Sequence, residues 1–246
     1  MDDYTPSTYG DRIASIYDEW HPIAGDAEQA AEVLAGLAGD GAALELAIGT
    51  GRIAIPLAAR GVSVHGIDAS AAMVAKLRQK AGGADIPVEL GDFSDVDIGG
   101  RFRLIFVVFN TFFVLLTQED QVRCVRNVAS HLEPGGAFVI EAFVPDPTMY
   151  SAGQRVAATS VDLDEVRLDA GRHDPSEQRV DATHVVIRDG DVRLYPVRMR
   201  YAWPSELDLM AELAGLRLRH RWADWNRAPF EASSTKHVTV YELAPA

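Results

Sequence analysis

A regular alternation of apolar runs and amphipathic stretches between residues 43 and 143 constrains the fold of this chain more than any other feature. Buried strands read as continuous apolar runs, whereas an apolar residue every three or four positions is typical of a helix packed on a sheet. The alternation predicts a parallel sheet covered by helices on both faces. The predicted strands are Ala43–Ile48, Val62–Ile67, Val88–Leu90, Leu104–Phe109 and Ala137–Phe143.

The sequence on either side of this segment divides the chain into three predicted parts. Residues 1–41 are predicted to form N-terminal helices that act as a lid, including one helix over Thr8–Glu19. Residues 42–150 and 204–246 are predicted to form a Rossmann-like domain with a mostly parallel seven-stranded sheet and helices on both faces. Residues 151–203 alternate with a period of two around the hairpin signal Asp189-Gly190. They are predicted to form an antiparallel β insertion that covers the substrate or offers a dimer surface.

Composition excludes several classes of function. The chain of 246 residues is 48% apolar and carries a formal net charge of −13. No block of lysine and arginine is present, so neither nucleic acid nor an acidic membrane surface is expected as a partner. No apolar run approaches the roughly 18–20 residues of a membrane span. Arginines 193, 198 and 200 are predicted to lie on a solvated face rather than in a basic site.

Two further features bear on location and metal binding. Cys124 is the only cysteine, which leaves no intramolecular disulfide and no cysteine-based metal cluster, and no metal site is predicted. The N-terminus, Met1-Asp2-Asp3-Tyr4, lacks the basic-then-apolar order of a signal peptide. A cytoplasmic protein is therefore expected, as a monomer or a homodimer.

The turn after the first strand, Gly49-Thr50-Gly51, has the composition of a ligand-binding turn. Glycine has no β-carbon, so the backbone can take positive φ and a ligand can approach it closely. The following helix directs unpaired N–H groups and a partial positive charge at the same place. A nucleotide-like ligand is predicted, although Gly49-x-Gly51-x-x-Ala54 also fits the dinucleotide fingerprint of NAD enzymes.

Polar residues follow the other predicted strands as well. Ligands of parallel sheets bind beyond the carboxyl ends of the strands, so these residues are expected on one rim. Asp68, after the second strand, can accept hydrogen bonds from a ribose diol. Asp92, after the third, can accept one from an exocyclic amine of adenine, and Phe93 beside it offers a stacking face. The residues after the fourth strand, Phe109, Asn110 and Thr111, are expected to reach the middle of the ligand, and Tyr9 and Tyr17 are expected to close over its far end.

This set of segments resembles the class I S-adenosylmethionine-dependent methyltransferases. The matching segments are Leu44 to Gly51, Gly66-Ile67-Asp68-Ala69-Ser70-x-x-Met73, Gly91-Asp92-Phe93 and Leu132-Glu133-Pro134-Gly135-Gly136. They cover about residues 42–143, and one departure is Phe102-Arg103, where many members carry Phe-Asp. The resemblance implies that the glycine turn supports the methionine part of the cofactor, that Asp68 holds the ribose and that Asp92 holds the adenine.

The resemblance also implies the cofactor, S-adenosylmethionine, and its product, S-adenosylhomocysteine. The cofactor-binding residues expected on this basis are Tyr9, Tyr17, Ala47, Gly49, Thr50, Gly51, Asp68, Ala69, Met73, Gly91, Asp92, Phe93, Phe109, Asn110 and Thr111.

The Tyr17-Asp18 helix and the β insertion are similar to a subgroup that acts on small molecules in antibiotic pathways. That subgroup includes N-methyltransferases of amino sugars, glycopeptides and peptide N-termini. The segment Asn110-Thr111-Phe112-Phe113 is similar to the branch that methylates peptide N-termini. Amino-sugar members often carry a histidine in this loop, and its absence here disfavours an amino-sugar substrate. The expected reaction moves a methyl group to a small-molecule or short-peptide acceptor, with an amine favoured and a natural-product hydroxyl as the alternative.

Methyl transfer is an in-line displacement, so the protein mainly aligns the reactants and excludes water. An amine must also be unprotonated when it attacks, which a nearby carboxylate, histidine or tyrosine can assist. The predicted catalytic residues are His21, Glu141 and Tyr150, with His184 and His237 as further candidates. Two alternatives from other classes remain: an NAD-dependent oxidoreductase and a non-methylating relative that uses the fold for binding or rearrangement.

Overall fold

The structure is a computed structural model and describes residues 4–21, 25–95 and 98–245. Two sheets organise the described residues. The first sheet consists of β1 (Ala43–Leu46), β2 (Val64–Asp68), β3 (Val88–Leu90), β4 (Phe102–Val107), β5 (Leu132–Phe143), β10 (Leu216–Trp222) and β11 (Lys236–Leu243). The second sheet consists of β6 (Gln154–Val161), β7 (Glu165–Asp174), β8 (Arg179–Arg188) and β9 (Asp191–Arg200).

The first sheet has seven strands in the order β10-β11-β5-β4-β1-β2-β3. The pairs β1–β2, β2–β3, β1–β4 and β4–β5 are parallel, and β11 pairs antiparallel with both β5 and β10. The predicted fold class, a mostly parallel seven-stranded Rossmann-like sheet, is therefore confirmed. Strand order reverses between β1 and β4, where folds of this kind bind their ligands.

Seven α-helices lie within the described residues. They are α1 (Thr8–Ile13), α2 (Tyr17–Trp20), α3 (Asp26–Ala38), α4 (Ala54–Ala58), α5 (Ala71–Arg78), α6 (Gln118–His131) and α7 (Pro204–Leu213). None is long and apolar enough to span a membrane. Ser70 begins α5 by accepting a hydrogen bond from the N–H of Met73, and Thr117 begins α6 by accepting one from the N–H of Asp120. Both caps satisfy N–H groups that a helix start leaves free.

The first sheet is buried on both faces by separate apolar clusters. One cluster packs α6 and α7 against the sheet and contains the fully buried rings of Phe112, Phe113 and Phe138. The other packs α3 and α4 against the opposite face and contains Leu34, Leu57 and further buried aliphatic side chains. Apolar burial on two faces explains why the central strands carry almost no polar residue.

The second sheet is antiparallel in the order β6-β7-β8-β9. The turn Asp189-Gly190 has φ of 51° and 83°, and two positive values suit a tight two-residue hairpin between β8 and β9. β9 is an edge strand, which accommodates Pro196 without loss of a ladder hydrogen bond. The division into lid, sheet domain and β insertion stays a prediction.

Several predicted boundaries differ from the structure. The helix predicted over Thr8–Glu19 is two helices, α1 and α2, and the Ile16 residue before α2 takes a non-helical ψ of −3°. The helix after the glycine turn is only five residues long. β4 ends at Val107, two residues before the predicted end, because Phe109 and Asn110 adopt positive φ. Strand pairing cannot continue through such a conformation.

The prediction that the insertion arginines form a solvated face is wrong for Arg200, which is 7% exposed. Its guanidinium donates to Gln121 Oε1 at 2.6 Å and to Glu206 Oε1 at 2.8 Å. Gln121 in turn donates to the carbonyl of Arg200 at 2.7 Å. This buried network joins β9 to α6 and α7, and so fixes the second sheet against the first.

Candidate active site

A cavity of about 710 Å³ lies at the carboxyl ends of the first sheet's strands. Its walls come from the turns after β1, β2 and β4, from α1 and α2, and from one face of the second sheet. Alternate residues of β7 and β8 face it, as the two-residue period of a strand requires, including Asp169, Gly171, His173, Ala182 and His184. The cavity therefore has a rim on the first sheet and an opposite wall on the second. We call these the rim and the far wall.

The two glycines of the turn after β1 have different roles. Gly49 has φ of 56° and lines the cavity. A β-carbon there would lie 3.5 Å from the Met73 methyl group and 3.9 Å from the Ala47 carbonyl oxygen, which are ordinary contact distances. A β-carbon on Gly51 would lie 2.3 Å from Leu77 Cδ1. Gly51 does not line the cavity. A glycine is needed there because α5 packs so closely that a β-carbon would clash with Leu77.

Asp68 connects the turns after β1 and β2. Its Oδ2 accepts from the N–H of Gly49 at 2.7 Å and its Oδ1 accepts from the N–H of Ser70 at 2.8 Å. Burial raises the pKa of this carboxyl, and the two backbone hydrogen bonds oppose that rise. Each oxygen retains a lone pair for a ligand, because an ionised carboxylate can accept about four hydrogen bonds.

Asp92 and Phe93 line the rim beside Asp68. Asp92 Oδ1 accepts from the N–H of Ser94 at 2.8 Å, which leaves Oδ2 without a partner among the described residues. Gly91, in contrast, does not line the cavity. Its N–H donates to the carbonyl of Asp68 at 3.0 Å, so it holds the end of β3 against β2.

The turn after β4 is held in an uncommon backbone conformation. Phe109 and Asn110 have φ of 57° and 63°, values that few residues other than glycine adopt. Glu141 Oε2 accepts from the N–H of Phe109 at 3.2 Å, and Asn110 Oδ1 accepts from the N–H of Phe143 at 2.7 Å. Glu141 does not line the cavity, so this predicted catalytic residue instead holds the turn that does.

Arg52 is a site residue that the sequence analysis missed. Its guanidinium lies 3.6 Å from the centroid of the Phe109 ring and lines the cavity. Its Nε and Nη1 are buried and have no hydrogen-bond partner, and burial lowers the pKa of the group. The available signal was an arginine directly after Gly-Thr-Gly, at a helix start, where a cation opposes the helix dipole. A half-buried cation with two buried donors that lack partners fits an anionic ligand group.

The N-terminal helices are fastened to the same two turns. Asp11 accepts from Ser70 Oγ at 2.6 Å, and Asp18 accepts from Thr50 Oγ1 at 2.6 Å and from Lys80 at 2.7 Å. These contacts place the Tyr9 and Tyr17 rings on the cavity wall. Burial raises the pKa of Tyr17 to about 12 and that of Tyr9 still further, so both phenols are neutral at neutral pH.

The far wall carries imidazole, phenol and carboxylate groups. His173 Nε2 lies 2.9 Å from the Tyr201 hydroxyl, and the Tyr150 ring lies 4.8 Å from the His173 ring. His184 Nδ1 lies 2.5 Å from Asp169 Oδ1. Tyr150, a predicted catalytic residue, lines the cavity here.

The two other candidate histidines differ in whether they line the cavity. His21, a predicted catalytic residue, lines the cavity with its ring 4.7 Å from that of Tyr17, and its pKa is lowered chiefly by burial. His237 lies outside the cavity wall, fully buried beside Thr239, and burial lowers its pKa to about 4.

The structure thus brings most of the predicted cofactor residues to one place. The predicted residues on the cavity wall are Tyr9, Tyr17, Ala47, Gly49, Thr50, Asp68, Ala69, Met73, Asp92, Phe93, Phe109, Asn110 and Thr111. The described residues contain no cluster of three or more histidine, cysteine, aspartate or glutamate side chains that could hold a metal ion.

Comparison with known proteins identifies the family. A family profile described as a methyltransferase domain matches residues 43–136. The solved CcbJ methyltransferase from Streptomyces caelestis is 43% identical, with a TM-score of 0.93, and the match covers 98% of this chain and 100% of that one. The cypemycin N-terminal methyltransferase of a Streptomyces species is 27% identical over 200 residues, which are 81% of this chain and 82% of the relative. A dTDP-4-amino-2,3,4,6-tetradeoxy-D-glucose N,N-dimethyltransferase from Saccharopolyspora spinosa is 34% identical over 143 residues, covering 56% and 57%.

The chain belongs to the S-adenosylmethionine-dependent methyltransferases. The rim fits that cofactor on the structure's own observations. Arg52 has unpaired buried donors for a carboxylate, Asp68 and Asp92 have free lone pairs for hydroxyl and amine groups, and Gly49 leaves space beside them. When bound, S-adenosylmethionine supplies an activated methyl group on a sulfonium centre.

Proposed function

We propose that this methyltransferase methylates an amine nitrogen of a small secondary metabolite or a modified peptide. The observation that carries the proposal is the single cavity of about 710 Å³ that joins the cofactor rim to a polar, aromatic far wall. A cofactor and an acceptor can therefore lie side by side in one chamber, as an in-line transfer requires. The names of the relatives support a nitrogen acceptor, since two of them act at amines.

In this proposal, different rim residues bind different parts of the cofactor. Arg52 pairs with the carboxylate of the methionine part, because guanidinium and carboxylate match in charge and geometry. Asp68 accepts from the ribose hydroxyls, and Asp92 accepts from the adenine amine beside the Phe93 ring. Gly49 lets the backbone approach the ligand.

The far wall suits an amine that arrives with a positive charge. The carboxylates of Asp146 and Asp169 line this end, together with the rings of Tyr150, His173 and Tyr201. Carboxylates attract an ammonium group, and aromatic faces bind cations and cover apolar parts of an acceptor. Arg155 also lines this end and offers a partner for a carbonyl or hydroxyl of the acceptor.

A matched pair of acceptor probes tests the proposal. Alanyl-alanine amide carries a free α-amine, and lactyl-alanine amide carries a hydroxyl in its place. Each probe is incubated with the protein and S-adenosylmethionine, and methylated probe and S-adenosylhomocysteine are both quantified by mass spectrometry. A methyl glycoside of a 4-amino-4-deoxyhexose and an alkylamine extend the set of amines.

The expected result is methylation of at least one amine, with one S-adenosylhomocysteine formed per methyl group transferred, and no methylation of the hydroxyl probe. Methylation of the hydroxyl probe would favour O-methylation instead. Cofactor binding without transfer to any amine would favour the non-methylating alternative. A cytoplasmic location and a monomeric or homodimeric state stay predictions from the sequence.

A further inference from the structure

His184 and Asp169 form a pair that the assignment of the cofactor rim does not use. The two residues lie directly opposite each other on β8 and β7, so their side chains emerge on the same face of the second sheet. His184 Nδ1 lies 2.5 Å from Asp169 Oδ1, and both side chains line the cavity. The carboxylate fixes the imidazole with its proton on Nδ1, which leaves a lone pair on Nε2.

The Nε2 atom has no hydrogen-bond partner among the described residues, although the ring is held on several sides. The Trp20 ring packs edge-on at 5.9 Å and the Tyr9 ring lies at 6.3 Å. Tyr195 is the cross-strand neighbour on β9. A fixed ring with one satisfied nitrogen and one open nitrogen in a cavity is suited to act on a bound molecule.

Among the described histidines that line the cavity, His184 is the one paired with a carboxylate. Asp169 faces it from β7, and Arg167 of the same strand lies over the Trp20 ring, 5.0 Å from its centroid. Tyr9 stays neutral because burial raises its pKa. His21 at the end of α2 is close enough for its pKa to be lowered by the charge on His184, after the larger effects of burial and Arg52.

We propose that His184, oriented by Asp169, accepts a hydrogen bond from the N–H of the acceptor amine and takes the proton that this nitrogen loses. The proposal rests on the proposed amine methylation. The neutral amine forms a bond to the methyl carbon while the carbon–sulfur bond breaks, and the bonding electrons leave with sulfur. Positive charge moves to the nitrogen. One proton of the methylated nitrogen passes to Nε2 and then to solvent.

The contribution to rate comes from the charge that develops on the nitrogen. A hydrogen bond from a neutral N–H is weaker than one from an N–H that is becoming cationic, so the contact strengthens on the way to the transition state. Asp169 stabilises the imidazolium that results. The pair therefore acts on kcat more than on substrate binding.

Two substitutions of His184 separate this role from a structural one. His184→Phe keeps a planar ring but removes the acceptor atom. With the amine probe that the wild type methylates fastest, we expect kcat to fall about 10²-fold, as for loss of a general base. His184→Gln keeps an oxygen that accepts hydrogen bonds but does not titrate, and we expect it to recover part of the loss. Both variants should bind S-adenosylhomocysteine like the wild type in calorimetry. His220→Gln, an exposed histidine on β10 outside the cavity, is the matched control and should leave kcat unchanged.

The pH dependence of kcat/KM shows how many groups must lose a proton before the reaction can occur. The wild type needs both a neutral amine and an unprotonated His184 Nε2, so log(kcat/KM) should rise with slope two at the acidic end of the profile. His184→Gln should rise with slope one. His21→Gln should keep slope two, and a slope of one there would assign the role to His21 and overturn the proposal. An unchanged kcat in His184→Phe, or a slope of two in His184→Gln, would also overturn the proposal.

A spectroscopic measurement tests the pair without any turnover. In protein labelled with ¹⁵N-histidine, two-bond ¹H–¹⁵N correlation should show the His184 resonance, identified by its absence in His184→Gln, as the Nδ1–H form. Asp169→Asn should shift that resonance towards the other tautomer. A wild-type Nε2–H form would overturn the inference. Failure of the proposed function looks different, because the wild type would then methylate no amine at all.

Discussion

Replacement of Arg52 by methionine should have opposite effects on stability and on cofactor affinity. In the structure, the Arg52 Nε and Nη1 groups are buried without partners. An unpaired buried donor destabilises a protein by about 1–3 kcal/mol, whereas the contact with the Phe109 ring returns about 0.5–2 kcal/mol. Methionine keeps the apolar stem and removes both effects. The ligand-free Arg52→Met variant should therefore be as stable as the wild type or more stable, by about 1 kcal/mol, which corresponds to a Tm rise of about 2–4 °C for a chain of this size.

Binding should change in the other direction. A charge-assisted hydrogen bond contributes about 1.5–3 kcal/mol, so the Kd for S-adenosylhomocysteine should weaken about 10–150-fold. Differential scanning fluorimetry without ligand and isothermal titration calorimetry with S-adenosylhomocysteine measure the two quantities. Arg193→Met, on the exposed part of edge strand β9 and outside the cavity wall, is the matched control and should change neither. A loss of several degrees in ligand-free Tm with unchanged affinity would show that Arg52 is a structural residue and refute the assignment.

Three further predictions follow from single contacts. Asp92→Asn keeps the Oδ1 acceptor for the Ser94 N–H but loses Oδ2, so S-adenosylhomocysteine should bind about 5–30-fold more weakly at an unchanged Tm, as calorimetry and fluorimetry would show. Cys124 is fully buried and burial raises the pKa of its thiol, so a thiol reagent should label it only after denaturation, and labelling of the native protein would contradict its placement. Burial pushes the pKa of Glu206 up, but hydrogen bonds, among them one from Arg200, outweigh burial and hold that pKa below its usual 4.5. Glu206 therefore stabilises the fold above about pH 4.5 and this contribution is lost as the pH falls, so the Tm deficit of Glu206→Gln should shrink in acid, and a constant deficit would refute the ion pair's role.

The parts of the site that the sequence predicted are those governed by strand ends. Asp68, Asp92 and Asn110 lie just after the ends of predicted strands, and the carboxyl ends of parallel strands meet at one edge, so their position on one rim follows from the pattern. Glu141 lies near the end of the predicted strand Ala137–Phe143, so it is expected near the same edge. Its role was not predictable, because the positive φ of Phe109 and Asn110 directs the Phe109 N–H to the Glu141 carboxylate and the Asn110 N–H to the Glu141 main-chain carbonyl.

The parts that the sequence could not predict depend on register and burial. Asp169 and His184 meet because β7 and β8 pair with those two residues opposite. The four-residue turn between these strands, 175–178, lacks the two-residue Asp-Gly signal that fixes the register of β8 and β9. Arg200 is buried because β9 packs near α6 and α7. Its hydrogen bond to Gln121 of α6 joins residues that are 79 positions apart in the sequence. Such contacts between distant segments leave no local pattern in the sequence.

The rim that contains Gly49, Asp68 and Asp92 should bind S-adenosylmethionine rather than a dinucleotide. Thermal-shift titration with S-adenosylhomocysteine and with NAD tests it most directly. At a ligand concentration about 100 times Kd, S-adenosylhomocysteine should stabilise the protein by about 2.7 kcal/mol, or roughly 5–10 °C in Tm, and NAD should have no effect. Asp68→Ala and Asp92→Ala should each reduce the shift. Stabilisation by NAD with none by S-adenosylhomocysteine would contradict the claim.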